Sequence, residues 1–368
     1  MKRATRLLAG VFATLALTVG LTATTAGTAA AIGTNQSPRG YPAYSPDAVP
    51  SAYPGQFIDF TGDMTPHPTA ANTYKYMGFF CTLGAVGTDA AGRKIGITAG
   101  HCNQAPQWVP DPDRPGELKP PGQKLTTSGD VCTVESTTCI SYPDYPKYPG
   151  APLGEPVTTN GHPVFDVNAV KWAQDHNLAP VKPIGWIRWV NKDTFKSDGT
   201  LNLNSTTDYM VIEFAPEVQL SSQVRDKDGQ NVHQGGGGLF KVNSIYSDAG
   251  GAPALPPLSN TFISSTWIEN YGARSDRTPT LLSAAVNPGA IGLVTNGMLR
   301  TFAGSQGGDS GGPVVMKGTS KWVGITAGSE TGIVFPYYTT SAKNILENLN
   351  GHAVPAGTAG KGFTITNN

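Results

Sequence analysis

An all-β architecture, a barrel or sandwich finished by one C-terminal helix, is the fold class this sequence predicts. Three observations carry it. Gly and Pro are abundant (45 and 30 of 368 residues), Ser, Thr and Asn are plentiful, and only 14% of residues are charged. Helices draw on Ala, Leu, Glu and Lys, so this composition suits short strands joined by turns. Apolar runs are brief and separated by turn residues through the middle and end of the chain. A single stretch has convincing helical period: Ala342, Ile345, Leu346 and Leu349 follow i, i+3, i+4, i+7 spacing, with Thr340 or Ser341 as cap.

The elements follow in order. Met1-Lys2-Arg3-Ala4-Thr5-Arg6 is a basic n-region, Leu7 to Leu21 is apolar, and Ala29-Ala30-Ala31 offers a small-residue cleavage site. Residues 1–31 therefore read as a signal peptide. A bilayer span needs about 20 apolar residues. This stretch is shorter and is broken by Gly10, Thr14, Thr18 and Gly20. No later segment is apolar enough to span, so the mature chain is expected to be secreted and extracellular. Residues 32–72 carry Pro, Tyr, Ser and Ala with little periodicity and read as an extended arm or short pro-segment. Ordered β structure is expected from near Tyr76. Met77 to Val86 and Lys94 to Thr98 form a hairpin across Asp89-Ala90-Ala91-Gly92. Asn103 to Gly161 reads as a surface insertion, because Pro120-Pro121-Gly122 and Tyr142-Pro143-Asp144-Tyr145-Pro146 do not fit central strands. Strand-like runs resume at Gly185 to Val190, Tyr209 to Phe214, Phe262 to Ile268, Pro313 to Met316, Lys321 to Thr326 and Gly332 to Tyr338. Residues 73–352 make one ordered domain and 353–368 a C-terminal tail. No internal repeat is present.

Charge and cysteine content exclude several functions. Acidic and basic residues are equal in number, and phosphate recognition needs a basic footprint, so no nucleic-acid partner is expected. Four cysteines suit an oxidising compartment, where two disulfides are the default. Cys132 and Cys139 are placed to staple a loop within the insertion. Cys132 and Cys139 have no partnered His, and Cys81 and Cys102 also lack Cys-x-x-Cys spacing, so no metal and no cofactor are expected.

Two motifs carry chemistry: Thr98-Ala99-Gly100-His101-Cys102 and Gly308-Asp309-Ser310-Gly311-Gly312-Pro313. An acyl-transfer nucleophile needs its hydroxyl on an exposed tight turn, with backbone N–H groups converging where the carbonyl oxygen becomes negative. Glycines flanking a serine permit that backbone, and make the amides of Gly308 and Ser310 the candidate oxyanion donors. The second motif also matches the Gly-x-Ser-x-Gly elbow of α/β-hydrolases. Chain order decides against it. Between Ser310 and His352 there is no Asp, only Glu330 and Glu347, and no strand–helix alternation builds a parallel sheet.

Together the two motifs identify a resemblance to the chymotrypsin-like serine proteases of the secreted bacterial type, covering roughly residues 77–350. The resemblance implies two six-stranded antiparallel β-barrels with the active site in the cleft between them. It implies His101 as general base, since a neutral imidazole accepts the serine proton and returns it to the leaving group. It also implies a Cys81–Cys102 bridge that fixes the loop carrying His101. The orienting acid should lie between His101 and Ser310, ahead of an apolar strand. Asp208, in Thr207-Asp208-Tyr209-Met210-Val211-Ile212-Glu213-Phe214, fits this; its rival is Asp166, in Val164-Phe165-Asp166-Val167-Asn168. The shorter interval to Ser310 favours Asp208, because it leaves room for a second barrel. In related proteins the residue before the nucleophile pairs with a cation. For Asp309 the choices are Arg274, Arg277, Arg300 or an ammonium at Ile32 after cleavage. The run Tyr271-Gly272-Ala273-Arg274-Ser275-Asp276-Arg277 departs from the Gly-x-Thr-Thr-Gly turn frequent in bacterial relatives.

The resemblance also places the primary pocket at Gly304, Thr326, Ala327, Gly328 and Ile333. Gly304 stands where Arg- or Lys-selective relatives have an acid, so a small or medium apolar side chain is the expected preference. The function read from the sequence is a monomeric secreted serine endopeptidase acting on protein or peptide substrates. Its alternative is a catalytically silent chymotrypsin-like binding or surface protein, since the insertions and the Arg274–Asp276 stretch are unusual.

Overall fold

The structure is a computed structural model. It describes residues 44–60, 80–103, 150–175, 182–196, 204–257, 265–277, 285–329 and 337–368, residue 202, and short strands between them. The signal-peptide stretch 1–31 and Ile333 lie outside the described residues.

The strands in chain order are β1 (Ser51–Ala52), β2 (Phe57–Asp59), β3 (Thr65–Pro66), β4 (Tyr74–Lys75), β5 (Phe80–Thr82), β6 (Ala85–Thr88) and β7 (Lys94–Thr98). Within the Pro-rich insertion, β8 (Val109–Pro110) pairs with β9 (Leu118–Lys119) and β10 (Asp130–Cys132) with β11 (Cys139–Ser141). Next come β12 (Pro163–Asp166), helix α1 (Val167–Asp175), β13 (Gly185–Val190), β14 (Met210–Phe214), β15 (Gln219–Leu220) and β16 (Ser244–Ile245). The second half holds β17 (Trp267–Tyr271), α2 (Ala273–Arg277), β18 (Val286–Thr295), β19 (Met298–Thr301), β20 (Pro313–Met316), β21 (Lys321–Ser329) and β22 (Tyr337–Ser341). Helix α3 (Ala342–Asn350) and β23 (Thr364–Ile365) end the chain.

Two sheets carry the fold, antiparallel but for the β16–β21 pair. The first runs β23-β6-β7-β14-β13-β12-β2-β5. In the second, β21-β20-β17-β18-β19-β22 closes through a β21–β22 pairing into a six-stranded barrel, with β16 added on β21. The architecture is therefore the expected all-β one of two β units with a C-terminal helix. The first unit is an eight-stranded sheet because segments from both ends of the chain join it. Its core is apolar side chains of β6, β7, β13 and β14, among them Val86, Ile95, Ile97, Ile187 and Ile212, all buried. Ile268, Ile291, Leu299, Val314 and Val323 fill the second. Helix α3 follows its sequence signal residue by residue. Ser341 Oγ accepts from Asn344 N (3.2 Å), and Ala342, Ile345, Leu346 and Leu349 face inward.

Three boundaries differ from the sequence reading. Residues 51–59 are not part of an arm: β2 lies between β12 and β5, and β1 runs parallel to β15. The correction has a simple cause, since strands of two and three residues flanked by Pro50 and Pro54 show no period. Residues 353–368 are not a tail. Asp89 Oδ2 accepts from Gly360 N (3.1 Å), β23 pairs with β6, and Asn368 O accepts from Ser222 N (3.2 Å). Finally, a helix outside the sequence reading, α1, begins directly after Asp166, and Asp166 Oδ1 caps it by accepting from Asn168 N (2.8 Å). The β18–β19 hairpin was also not anticipated, though its Asn296-Gly297 turn, with φ of 49° and 86°, is a strong hairpin signal.

The long insertion is tied off at its mouth. Buried Asn103 donates from Nδ2 to Ala151 O and accepts at Oδ1 from Ala151 N, both at 2.8 Å. One side chain thus holds the two ends of the stretch between them as a backbone pair would, directly after the turn bearing His101. Cys132 stands opposite Cys139 in the β10–β11 register. Replacing Asn103 by Ala should cost about 1–3 kcal/mol, because two buried backbone groups of Ala151 lose their partners. A urea midpoint for Asn103→Ala equal to that of the parent protein would show that the clamp carries no stability.

Candidate active site

Strand register brings the first pair of side chains together. β14 lies antiparallel to β7 with Met210 opposite Thr98, so Asp208, just before β14, meets the turn just after β7. That turn is a short 3-10 helix, Gly100–Cys102, and a Cys81–Cys102 disulfide with a Cα–Cα distance of 6.3 Å ties it to β5. Asp208 spends both carboxylate oxygens on one residue: Oδ1 accepts from His101 N at 2.8 Å and Oδ2 from His101 Nδ1 at 2.6 Å. Both side chains are buried. With the Nδ1 proton held by a carboxylate, Nε2 carries the lone pair, the arrangement a general base needs. Behind Asp208, the Tyr209 hydroxyl donates to Asn348 Oδ1 of α3 (2.8 Å), and burial pushes its phenol pKa up. The rival acid, Asp166, caps α1 and accepts from Gln56 Nε2 (3.2 Å). Burial pushes its carboxyl up, against the opposing pull of these hydrogen bonds and of Arg277.

The Ser310 turn is held from three sides. Thr82 N donates to Ser310 O (2.8 Å), and Thr82 Oγ1 donates to Gly308 O (2.9 Å) while accepting from Ala273 N (3.1 Å). On a second side Gly311 N donates to Thr326 O (2.6 Å) and Thr326 N to Gly312 O (2.9 Å). On the third, Gly311 (φ 83°) lies directly against the histidine segment: a Cβ there would stand 1.9 Å from Thr98 Oγ1 and 2.8 Å from Ala99 N. No side chain fits, so Ser310 and His101 are carried by segments in direct contact. Among the described residues, Ser310 Oγ and the amides of Gly308 and Ser310 have no hydrogen-bond partner. Amides left open in this way are able to donate to a developing oxyanion.

Asp309 points the other way, into the protein. Its carboxylate accepts from Ser275 N (2.9 Å), Ser275 Oγ, Gln306 N (2.9 Å) and the Arg274 amide. Burial raises its pKa and these donors oppose the rise. Gly272 makes the approach possible, since a Cβ there would lie 2.1 Å from Asp309 Cγ. Of the three arginines considered as its partner, Arg274 acts on it through charge, Arg277 stacks over Phe57 (5.2 Å) and Arg300 over Tyr338 (5.7 Å). Ser275, which supplies two of the donors, carried no signal in the sequence.

Around the expected pocket, Gly304 O accepts from Asn270 Nδ2 (3.1 Å) and Asn287 Nδ2 (3.0 Å), two residues paired across β17 and β18. Neither asparagine was singled out by the sequence. Thr326 is buried and Ala327 and Gly328 half-buried at the bulged end of β21. Among the described residues no cluster of three or more His, Cys, Asp or Glu side chains is placed to hold a metal ion.

In fold the chain is similar to bacterial chymotrypsin-like serine proteases. A chymotrypsin of Cellulomonas bogoriensis matches at 14% identity and a TM-score of 0.37, over 78% of this chain and 91% of its own. Protease A of Thermobifida fusca matches at 14% identity and 0.38, over 86% of this chain and all (100%) of its own. A glutamic-acid-specific serine protease described as using a histidine triad in substrate binding matches at 15% identity and 0.36, over 81% of this chain and 98% of its own. No protein-family model and no curated protein matches the chain. Likeness at this level describes the course of the chain, and the chemistry rests on the distances above.

These contacts separate the two acids experimentally. Asp208→Asn keeps the shape but removes the charge that orients the imidazole, and peptide turnover should fall on the order of 10⁴-fold. Asp166→Asn should leave turnover within about tenfold and act on stability instead. Because burial raises the folded-state pKa of Asp166, its contribution is most favourable below the unfolded value of about 4 and declines as pH rises through the higher folded value. Urea unfolding should therefore show the stability of wild type relative to Asp166→Asn falling from pH 4 to pH 7. An unchanged difference between the two pH values contradicts this account of the site.

Proposed function

We propose that this chain is a secreted serine endopeptidase in which Ser310 is the nucleophile, His101 the general base and Asp208 the orienting acid. One observation carries the reading: Asp208 binds both the backbone amide and the imidazole of buried His101, on a segment in contact with the Ser310 turn. In the proposed reaction Ser310 Oγ attacks the scissile carbonyl while His101 Nε2 takes the hydroxyl proton. The carbonyl oxygen becomes negative between the amides of Gly308 and Ser310. Collapse breaks the C–N bond, with His101 returning the proton to the departing amine, and leaves an acyl-enzyme. Water, deprotonated by the same imidazole, releases the acid and restores the serine. No cofactor enters this scheme.

Among the described residues, the neutral hydrogen-bond partners of Gly304 support a preference for substrates other than Arg or Lys. Two asparagine carboxamides meet at that position, and a buried cation requires a paired anion. Export is supported by the N-terminal charge and hydropathy pattern and by the disulfide. Among the described residues no helix is long and apolar enough to cross a membrane.

A fluorophosphonate probe tests the proposal, since it reacts with activated serine nucleophiles. Labelling of the full-length protein should map to Ser310, and Ser310→Ala should lose both labelling and peptide cleavage while keeping its thermal midpoint within a few degrees. Undiminished labelling or cleavage in Ser310→Ala would overturn the assignment.

A further inference from the structure

The Thr82 side chain makes two hydrogen bonds whose directions are fixed. It is fully buried, and its hydroxyl meets backbone groups of two distant segments, Ala273 N at 3.1 Å and Gly308 O at 2.9 Å. An amide only donates and a carbonyl only accepts. The hydroxyl therefore accepts from Ala273 and sends its single proton to Gly308 O. The Thr82 methyl is placed as well, since a Cβ built on Gly312 would lie 3.3 Å from it. A β-branched side chain packed on that side has little rotameric freedom, so the hydroxyl is held on Gly308.

Gly308 is where such a hold has a chemical consequence. The peptide that carries its amide joins two glycines, Gly307 and Gly308, and a Cβ built on Gly307 would meet nothing within 4 Å. Glycine takes positive and negative φ about equally readily, and Gly308 stands at φ 98°. The local chain thus leaves open whether this peptide presents its amide or its carbonyl at Ser310. The next peptide is fixed at both ends: its carbonyl, Gly308 O, by Thr82 Oγ1, and its amide, Asp309 N, by Gln306 O at 2.9 Å. The peptide that carries the Ser310 amide is held separately, because Asp309 O accepts from Gly312 N (2.9 Å). We propose that Thr82 is a positioning residue for peptide hydrolysis. Through Gly308 O, its hydroxyl keeps the Gly308 amide turned toward the carbonyl oxygen of the substrate. The proposal rests on the peptidase reading, in which the amides of Gly308 and Ser310 receive that oxygen. Thr82 acts through Gly308 and not on the substrate, so its effect falls where the oxygen becomes negative, in the transition state, and not on binding.

The test compares full-length wild type with Thr82→Val, which keeps the shape but loses the hydroxyl, and Thr82→Ser, which keeps the hydroxyl. Fluorophosphonate labelling of Ser310 engages the same amides without needing a preferred side chain, because its phosphoryl oxygen takes up charge as a substrate carbonyl does. Losing a whole oxyanion donor costs about 10²–10³-fold, so misdirecting one should slow labelling of folded Thr82→Val about 10–100-fold. Thr82→Ser should label within about threefold of wild type, since its hydroxyl still donates to Gly308 O. The pH midpoint of labelling, set by the base, should not move. With a peptide that wild type cleaves, the loss should appear in kcat, with KM within about twofold. Where Thr82→Val lacks a cooperative thermal transition, Thr82→Ala takes its place, since it removes the apolar methyl from between two polar groups, and the same loss is expected. Labelling at the wild-type rate in the hydroxyl-free variant overturns the proposal. So does a loss that Thr82→Ser shares, a shifted pH midpoint, or failure of both hydroxyl-free variants to fold, which would make Thr82 a residue of the fold alone. In each of these cases the peptidase reading stands. Absence of labelling at Ser310 in wild type overturns that reading and this proposal with it.

Discussion

Thr82 is the joint on which the site depends. It is fully buried at the end of β5, beside the disulfide-bonded Cys81, and its polar atoms reach three segments far apart in sequence. Its amide and hydroxyl hold the Ser310 turn at Ser310 O and Gly308 O, and its carbonyl accepts from Thr98 Oγ1 (2.8 Å), just ahead of His101. The hydroxyl also accepts from Ala273 N at the start of α2. Each of these groups lies away from water, where an unmade hydrogen bond costs about 1–3 kcal/mol. Thr82 therefore ties the two sheets together, and the candidate nucleophile and base come from opposite sides of the joint.

Three aspartates near the site show how placement divides the work of one residue type. Asp208 gives both oxygens to His101, so its charge is directed at a single imidazole. Asp309 gives its oxygens to amides and a hydroxyl beneath the Ser310 turn, which fixes the turn from inside. Asp166 caps α1 and accepts from Gln56, tying the N-terminal strand segment to the helix. All three carboxylates accept from backbone N–H groups, the partner that best repays removal from water. The first of them is hydrogen-bonded to an imidazole, that of His101.

The long insertion between His101 and Asp208 leaves this geometry alone for a physical reason. Asn103 closes its mouth against Ala151, and the disulfide fixes the preceding turn, so the path from β7 to His101 is anchored before the insertion begins. Closing a longer loop costs little extra entropy once its ends are held, which makes such a position tolerant of added chain. On the far side, Asn191 and Tyr209 meet Asn348 of α3, fixing the approach to Asp208 independently.

The sequence by itself determined the local features. The strand-like runs at Gly185 to Val190 and at Tyr209 to Phe214, the period of α3, the turn at Asp89 to Gly92 and the two motifs around His101 and Ser310 are each written within a few residues. The Asn296-Gly297 hairpin is equally local, a two-residue turn at positive φ. Only the tertiary structure decided which distant groups meet. β1, β2 and β23 are too short to show a period and exist because a sheet edge accepts them. Nothing local separates the strand-edge carboxylate of Asp208 from that of Asp166. The β7–β14 register carries the first to His101, while the second is turned away into α1. The joint at Thr82, the clamp at Asn103 and the donors to Asp309 are likewise single polar side chains whose partners lie on other segments. Residue type alone leaves those partners open, because a hydrogen bond between segments is specified by where the folded backbone puts its ends.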